Sequence, residues 1–294
     1  MALYKYMTFE NLKKVLNGTI RFTQPGAFND PFEMVPELYV PKDIGQSVNF
    51  DFSVTAPRRE SESHKLPKDF ESERCNDIVS RNIRHKLDQS IGVLCLSENP
   101  SSFLMWSYYA DSYAGAVVEF DDTHDFFSGK FRMEYRSIRP KKDISAYVCN
   151  REPVPISEFC TKPLDWEHES EVRVVRSLSD CKCIDEKDPQ GYPIFVMDIP
   201  PECVTDVVMG ERMSISNQRS IWKMVKSRDI SLHLDAISNW DYEFRREPIR
   251  LLGNPNPIIS PRTAHIFSEE DGTLGEMARF QLQRKEWAFV NDTL

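Results

Sequence analysis

Strand, helix and strand signals follow one another within the first 23 residues, and this crowding constrains the fold more than any other feature of the chain. The run "ALYKYM" reads as a short aromatic strand. "TFENLKKVLNG" reads as a helix: Thr8 caps it, Glu10 lies in the first turn, and Gly18 closes it. Phe9, Leu12, Val15 and Leu16 fall on one helical face. "TIRFT" then alternates, with Ile20 and Phe22 on one side and Arg21 on the other. The next stretch, "RFTQPGAFNDPFE" (21–33), holds two prolines, a glycine and three phenylalanines. Ordinary surface loops are not built that way. Pro31 drives Asp30 out of helical geometry. Asn29 and Asp30 either satisfy the loop backbone, as Asx side chains do, or stand rigidly presented to a ligand.

Further along, "IGVLCLSE" reads as a buried strand and "SSFLMWSYYADSY" as a helix capped by Ser101 or Ser102. "AGAVVEF" is a strand expected to pair with "KFRMEYR". "HESEVRVVRS", "YPIFVMDI", "VTDVVMG" and "ISLHLDA" are further strands, and "SISNQRSIWKMVKSR" is a helix between the last two. Residues 40–67 are polar and irregular and read as an insertion, followed by a charged helix over 68–88. Strands outnumber helices and no repeat is visible. The expected fold is α+β, a mainly antiparallel sheet with flanking helices. Residues 1–236 form one domain in this reading, and 237–294 a C-terminal extension with a proline-rich linker, "GNPNPIISPR", and a terminal helix.

Hydrophobic residues make up 40% of 294, enough for a large core. No apolar run reaches the length of a membrane span, and "MALYKYMTFE" lacks the features of a secretion signal. The seven cysteines have no framework spacing, and Cys181 and Cys183 have no zinc-like companions. The expectation is a cytoplasmic protein with reduced thiols and no metal. A net charge of −9 argues against broad nucleic-acid binding, which depends on phosphate neutralisation, and leaves a local basic groove open.

Two more stretches carry polar groups in patterns suited to chemistry. Trp106, Tyr109 and Tyr113 recur at helical spacing, either as core or as a platform for a flat ring. In "DWEHESEVRVV", strand alternation puts Glu169, Glu171 and Arg173 on one face and Val172 and Val174 on the other. That charged face is either a solvated sheet face or a carboxylate pair suited to a reaction developing positive charge. His168 stands beside Glu169, on the opposite face of such a strand. Phosphate-loop, nucleophile-elbow and zinc-protease motifs are absent.

The blocks "LYKYMTFENLKKVLNGTIRFTQPGAFNDPFE", "LCLSENPSSFLMWSYYADSYAGAVVEFD", "KPLDWEHESEVRVV" and "VVMGERMS" resemble, in order, a bacterial family catalogued as a domain of unknown function. The opening is also remotely similar to compact ADP-ribosyltransferases, including the DNA-modifying toxin type and the RNA 2′-phosphotransferases. That resemblance implies an ADP-ribosyltransferase-like split sheet and NAD as substrate, without metal. Lys5 or Tyr6 stands where those enzymes offer His or Arg to NAD. Lys5 or Arg21 would lie near the pyrophosphate, and Asn29 and Asp30 would form one wall. Tyr109 would hold nicotinamide, with Trp106 beneath. "ESE" resembles the ExE of arginine-modifying transferases, making Glu171 the catalytic carboxylate and Glu169 its helper. The implied role is a toxin or phage-defence effector that modifies a macromolecular acceptor, protein or nucleic acid, or passes ADP-ribose to water as an NAD glycohydrolase, with an antitoxin or regulatory partner at the C-terminal extension. Two other readings stand beside it. One is a non-catalytic nucleotide- or nucleic-acid-binding regulator; the other is a metal-independent nuclease using Glu171, Arg173 and Lys162.

Overall fold

In a computed structural model of the chain, residues 2–39, 80–144 and 155–291 are described. The insertion expected over 40–67, and most of the helix expected over 68–88, lie outside them. The opening forms as its sequence dictates. Strand β1 (Ala2–Met7) leads into helix α1 (Phe9–Leu16), whose cap Thr8 accepts from the Asn11 amide. Gly18 follows the helix at φ +91°, a left-handed geometry that suits glycine. Leu12, Val15 and Leu16 are buried, each side chain worth about 1.5–3 kcal/mol of transfer free energy. Strand β2 (Thr19–Phe22) buries Ile20 and Phe22.

Beyond the loop come β3 (Glu37–Tyr39), α2 (described over 80–90), β4 (Ile91–Ser97), α3 (Phe103–Tyr109) and β5 (Ala116–Asp121). Short strands β6 (Phe131–Arg132), β7 (Glu134–Arg136), β8 (Lys141–Asp143) and β9 (Thr161–Pro163) follow. Strands β10 (Glu171–Ser177), β11 (Lys182–Lys187), β12 (Pro193–Asp198) and β13 (Val204–Gly210) precede helix α4 (Ile215–Val225). The chain ends in β14 (Ser231–Ile237), β15 (Phe244–Arg250), α5 (Ala264–Phe267) and α6 (Gly272–Asn291).

Eight strands make one sheet in the order β15-β14-β13-β5-β1-β4-β10-β6. All its pairings are antiparallel but β13–β14, which run parallel and are joined through α4. A second sheet has the order β11-β12-β2. The fold is mixed α/β with a large, mostly antiparallel sheet. One sheet face is covered by the main core, which takes in α1, α4, α5 and α6. The other carries a smaller cluster around Trp106 and Tyr6. β5 does not pair with the 130–136 segment as expected. It lies between β1 and β13, while β6 pairs with β10, because β5 is apolar enough to be central and β6 is short and half-exposed.

The sheet parts at one place. β1 and β4 are paired only at Tyr4 and Ser97, and β4 then meets the end of β2 through a bridge between Thr23 and Val93. Lys5 spans the opening, its Nζ donating to the Cys95 carbonyl at 2.8 Å. The parting of β1 from β4 sets the position of the cleft described below.

The boundary expected at 236 falls inside the main sheet. β14 runs to Ile237, β15 pairs along its length, and Ile249 is wholly buried. Arg250 donates to the carbonyls of Val225 and Lys226 at 2.9 and 2.8 Å, tying β15 to the end of α4. Proline and charge in "EFRREPIR" hide a strand that serves as a sheet edge, where both are common. A chain ended after residue 238 should therefore lose its cooperative thermal transition. A preserved sharp transition, read by circular dichroism, would mean that β15 and the helices after it are dispensable.

Candidate active-site cleft

The "FNDPFE" loop is rigid because its own side chains tie it. Asp30 is 5% exposed, and its Oδ1 accepts from the Phe32 amide at 2.9 Å, an Asx turn completed by Pro31. The Glu33 amide donates to the Asp30 carbonyl, and Met34 takes a positive φ of 54°. Each side chain of the loop is thereby aimed. Phe28 lies under the Arg173 guanidinium, 5.0 Å from its centre, and Asn29 donates to the Tyr109 hydroxyl at 3.4 Å. Glu33 turns inward at 3% exposure, and Phe32 turns outward at 61%.

Glu33 enters a buried ion cluster. Lys162, on β9, donates to Glu169 at 2.5 Å and to Glu171 at 2.9 Å, and faces Glu33 at 3.5 Å. Arg173, wholly buried, donates to both oxygens of Glu171 at 2.7 and 3.1 Å and contacts Glu33. Two cations thus face three carboxylates, a formal balance of −1. Burial raises the Glu171 carboxyl above its ordinary range, with the Lys162 charge opposing. Burial pulls Lys162 down, but the carboxylates around it outweigh that and hold it protonated. Burial likewise pulls Arg173 down, while Glu33 and Glu171 against its guanidinium keep it charged. The Glu171 amide donates to the Tyr135 hydroxyl at 2.7 Å, which fixes the start of β10.

Glu169 is not on a strand. It ends a 3-10 segment, Leu164–Glu169, and Ser170 follows in the left-handed region at φ 44°. That reversal, with the Ser97 hydroxyl donating to the Glu169 carbonyl at 2.6 Å, brings Glu169 beside Glu171 by a route other than strand alternation. Tyr109 donates to the second oxygen of Glu169 at 2.6 Å. Burial, then the Glu169 charge, pushes the Tyr109 phenol well above its usual range, so it stays a donor. Cys95 on the floor is likewise a thiol, held there by burial.

Glu33, Cys95, Tyr109, Lys162, Glu169 and Glu171 line a cleft of about 380 Å³ at the parting of β1 from β4, with Arg173 behind the wall. Lys5, Tyr6, Arg21, Asn29, Tyr109, Glu169 and Glu171 all contribute to its wall. Burial lowers the Lys5 pKa. Arg21 reaches the cleft from β2 while its Nη2 donates to Asp188 at 2.6 Å. Tyr6 has a structural task as well: its hydroxyl donates to the Asn99 carbonyl and accepts from the Ser102 amide, pinning the start of α3. Two expected residues are elsewhere. Asp30 serves its own loop. Trp106 is wholly buried in the core cluster, edge-on to Tyr6 at 5.7 Å and stacked on Tyr113 at 6.2 Å, with no place in the cleft wall. Tyr113 is not on the helix, which ends at Tyr109; Asp111, Ser112 and Tyr113 all have positive φ. His168 donates from Nδ1 to the Asp165 carbonyl at 3.0 Å and does not line the cleft.

The cleft continues. A second hollow of about 490 Å³ shares Lys5, Tyr6, Arg21, Thr23 and Tyr109 with it and runs between α1 and the second sheet. Its wall combines apolar Val15, Ile184, Ile194 and Val196 with Lys14 and Lys182. Sequence reasoning passed over this arm, although "NLKKVL" already placed Lys14 beside Val15. It placed Arg173 on the face of Glu171, named Lys162 only as a nuclease part, and missed Glu33, which looked like an ordinary loop acid. Among the described residues no cluster suited to a metal occurs, and no helix is long and apolar enough to cross a membrane. Comparison of the chain with family models, curated proteins and solved structures finds no match.

Lys162→Met leaves three carboxylates to Arg173 alone, and should destabilise the fold by about 3–5 kcal/mol, as loss of one partner of a buried pair does. The Glu171 pKa is already raised, and losing Lys162 raises it further. A raised carboxyl contributes stability below its unfolded pKa and loses it as pH climbs through the folded value. The melting deficit of Lys162→Met should therefore shrink as pH falls from about 8 to about 5, with Lys162→Arg recovering part of it. A deficit independent of pH would mean that Lys162 matters for packing rather than charge.

Proposed function

We propose that the cleft binds NAD and that the protein is an ADP-ribosyltransferase acting on a macromolecular acceptor. The observation that carries this reading is the surplus carboxylate at the cleft floor, where among the described residues Glu33, Glu169 and Glu171 form ion pairs with Lys162 and Arg173. A floor with one uncompensated negative charge, largely shut off from water, favours a ligand that becomes positive as it reacts. Loss of neutral nicotinamide from NAD moves the pyridinium charge onto the ribose, beside this floor. The shape of the cleft suits the rest of the dinucleotide. Arg21 and Lys5 stand where the two hollows join, within reach of a pyrophosphate. The apolar arm along Ile184, Ile194 and Val196 suits a flat base.

In the mechanism, Tyr109 and Asn29 form the wall against which nicotinamide sits. Glu171 faces the ribose and stabilises the oxocarbenium-like transition state. For this its grip on Lys162 loosens, a shift the surplus carboxylates allow because Lys162 keeps Glu169 as partner. Glu169, oriented by Tyr109, receives the proton of the attacking acceptor. Bond breaking releases neutral nicotinamide, and the acceptor's lone pair forms the new bond to the ribose carbon.

One observation favours a second reading. Glu169 and Glu171 are only 3% and 5% exposed and both are held by cations, an arrangement suited to binding a nucleotide without turning it over. The same engagement of Lys162 and Arg173 weighs against the nuclease reading, in which they would act on phosphate.

Pure protein is incubated with NAD, alone and with cell lysate, and nicotinamide is quantified by chromatography. Release is expected, and Glu171→Gln should lower it about a hundredfold to a thousandfold. Because Gln weakens the cluster, melting is followed in parallel. Tyr109→Phe supplies a variant that leaves the ions in place and should lower release about tenfold, the worth of one hydrogen bond to a charged group. NAD binding without release under both conditions would favour the regulator, and neither binding nor release would end the assignment.

A further inference from the structure

On its outer side Lys162 also lines a separate hollow of about 200 Å³, with Phe32, Arg136, Ile138, Arg139 and Thr161 around it. Phe32 is 61% exposed and Ile138 78%. The Arg139 guanidinium lies over the Phe32 ring, 5.6 Å from its centre. The hollow belongs to the run "KFRMEYRSIRPKK" (130–142), which holds six Lys and Arg against one Glu in a chain of net charge −9. We propose that this surface binds single-stranded nucleic acid, a base stacking on Phe32 and phosphates meeting Arg136 and Arg139.

The geometry supports this on three counts. An exposed aromatic ring is a stacking platform, and the Asp30 side chain fixes the backbone that carries it. The Arg139 guanidinium covers one face of that ring and can pair with a phosphate while a base takes the other face. Third, the surface is tied to the cleft by backbone. β7 pairs in parallel with β9, Tyr135 opposite Lys162, so Arg136 follows directly on the residue whose hydroxyl fixes Glu171. Lys162 lines both the hollow and the cleft, and the role of a bound strand as acceptor rests on the transferase reading.

Most cations of the run already face carboxylates. Arg136 pairs with Glu134 at 2.6 Å, Arg132 with Glu98 at 2.7 Å and Lys141 with Glu37 at 3.0 Å. These pairs are largely exposed and so are worth little, and a phosphate can replace their carboxylates. Arg139 faces a ring instead, which makes it the cation readiest for a phosphate. Nucleic acid is favoured over an acidic peptide because carboxylates alone would leave the Phe32 platform bare.

The test is fluorescence anisotropy with the full chain and labelled single-stranded DNA and RNA of about twelve nucleotides, a length within the usual site size. Polyglutamate is titrated as competitor. Binding that weakens as salt rises is expected. Phe32→Ala should weaken it about tenfold, the usual effect of losing one stacked base. Arg139→Ala should flatten the plot of log affinity against log salt by about 0.7, one phosphate contact on a single strand. A preference between DNA and RNA would identify the strand. Failure of both oligonucleotides to bind, binding by both variants equal to that of the parent, or stronger binding of polyglutamate would overturn the proposal. Nicotinamide release without oligonucleotide should be the same in Phe32→Ala as in the parent. If the cleft proves inert toward NAD, the anisotropy result still stands on its own.

Discussion

Two cations and three carboxylates share a space from which water is almost excluded, and the rest of the site is arranged around that fact. Ions cannot be buried singly without a penalty of several kcal/mol each, so every member must be placed where its partners are. The five come from three stretches: Glu33 from the early loop, Lys162 from β9, and Glu169, Glu171 and Arg173 from the segment that opens β10. Their mutual need fixes the loop against the sheet. It also explains why the loop contains no flexible polar stretch. A loop that must deliver Glu33 to Arg173 and Phe28 beneath it has little freedom to lose on folding.

The same cluster defines what the cleft is able to do. Neutral walls would make it a hydrophobic slot, and a fully balanced set of ions would make its floor electrostatically quiet. Three carboxylates against two cations leave it short of one positive charge. Lys5, across the opening, lessens that deficit when protonated, and burial opposes its protonation. Burial raises the Glu171 pKa, the direction in which an uncompensated carboxylate is expected to move. A cationic ligand or transition state would meet the deficit in the occupied cleft.

The fold was legible where local rules decide structure. Thr8, Glu10 and Gly18 mark the first helix because capping and left-handed turns depend on a few neighbouring residues. Ser102 capped α3 for the same reason, its hydroxyl accepting from the Met105 amide. Partners across the sheet were not legible. Nothing local in "AGAVVEF" says that it pairs with β1 and β13 rather than with the segment just after it. The carboxylate pair was found by a rule that does not apply. Alternation was expected to align Glu169 with Glu171, yet Glu169 lies before the strand and reaches its neighbour through the left-handed Ser170. Serine is a poor signal for that conformation, which glycine or asparagine would have announced.

Trp106 and Tyr109 show why an aromatic stripe resists reading from sequence. Both lie on one short helix three residues apart, and periodicity assigns them a shared face. A helix seven residues long, pinned at its start by Tyr6, is too short to present one uniform stripe. Its inner turn goes beneath Tyr113 and against the sheet, so Trp106 is enclosed. Its last residue stands at the helix end, where the backbone turns away through three consecutive positive φ angles, and so Tyr109 is left facing the opening. Periodicity describes the middle of a long helix. At a helix terminus the departing chain decides which side chain is covered, and here it leaves a phenol hydrogen-bonded to Glu169 at the one place where the sheet is split.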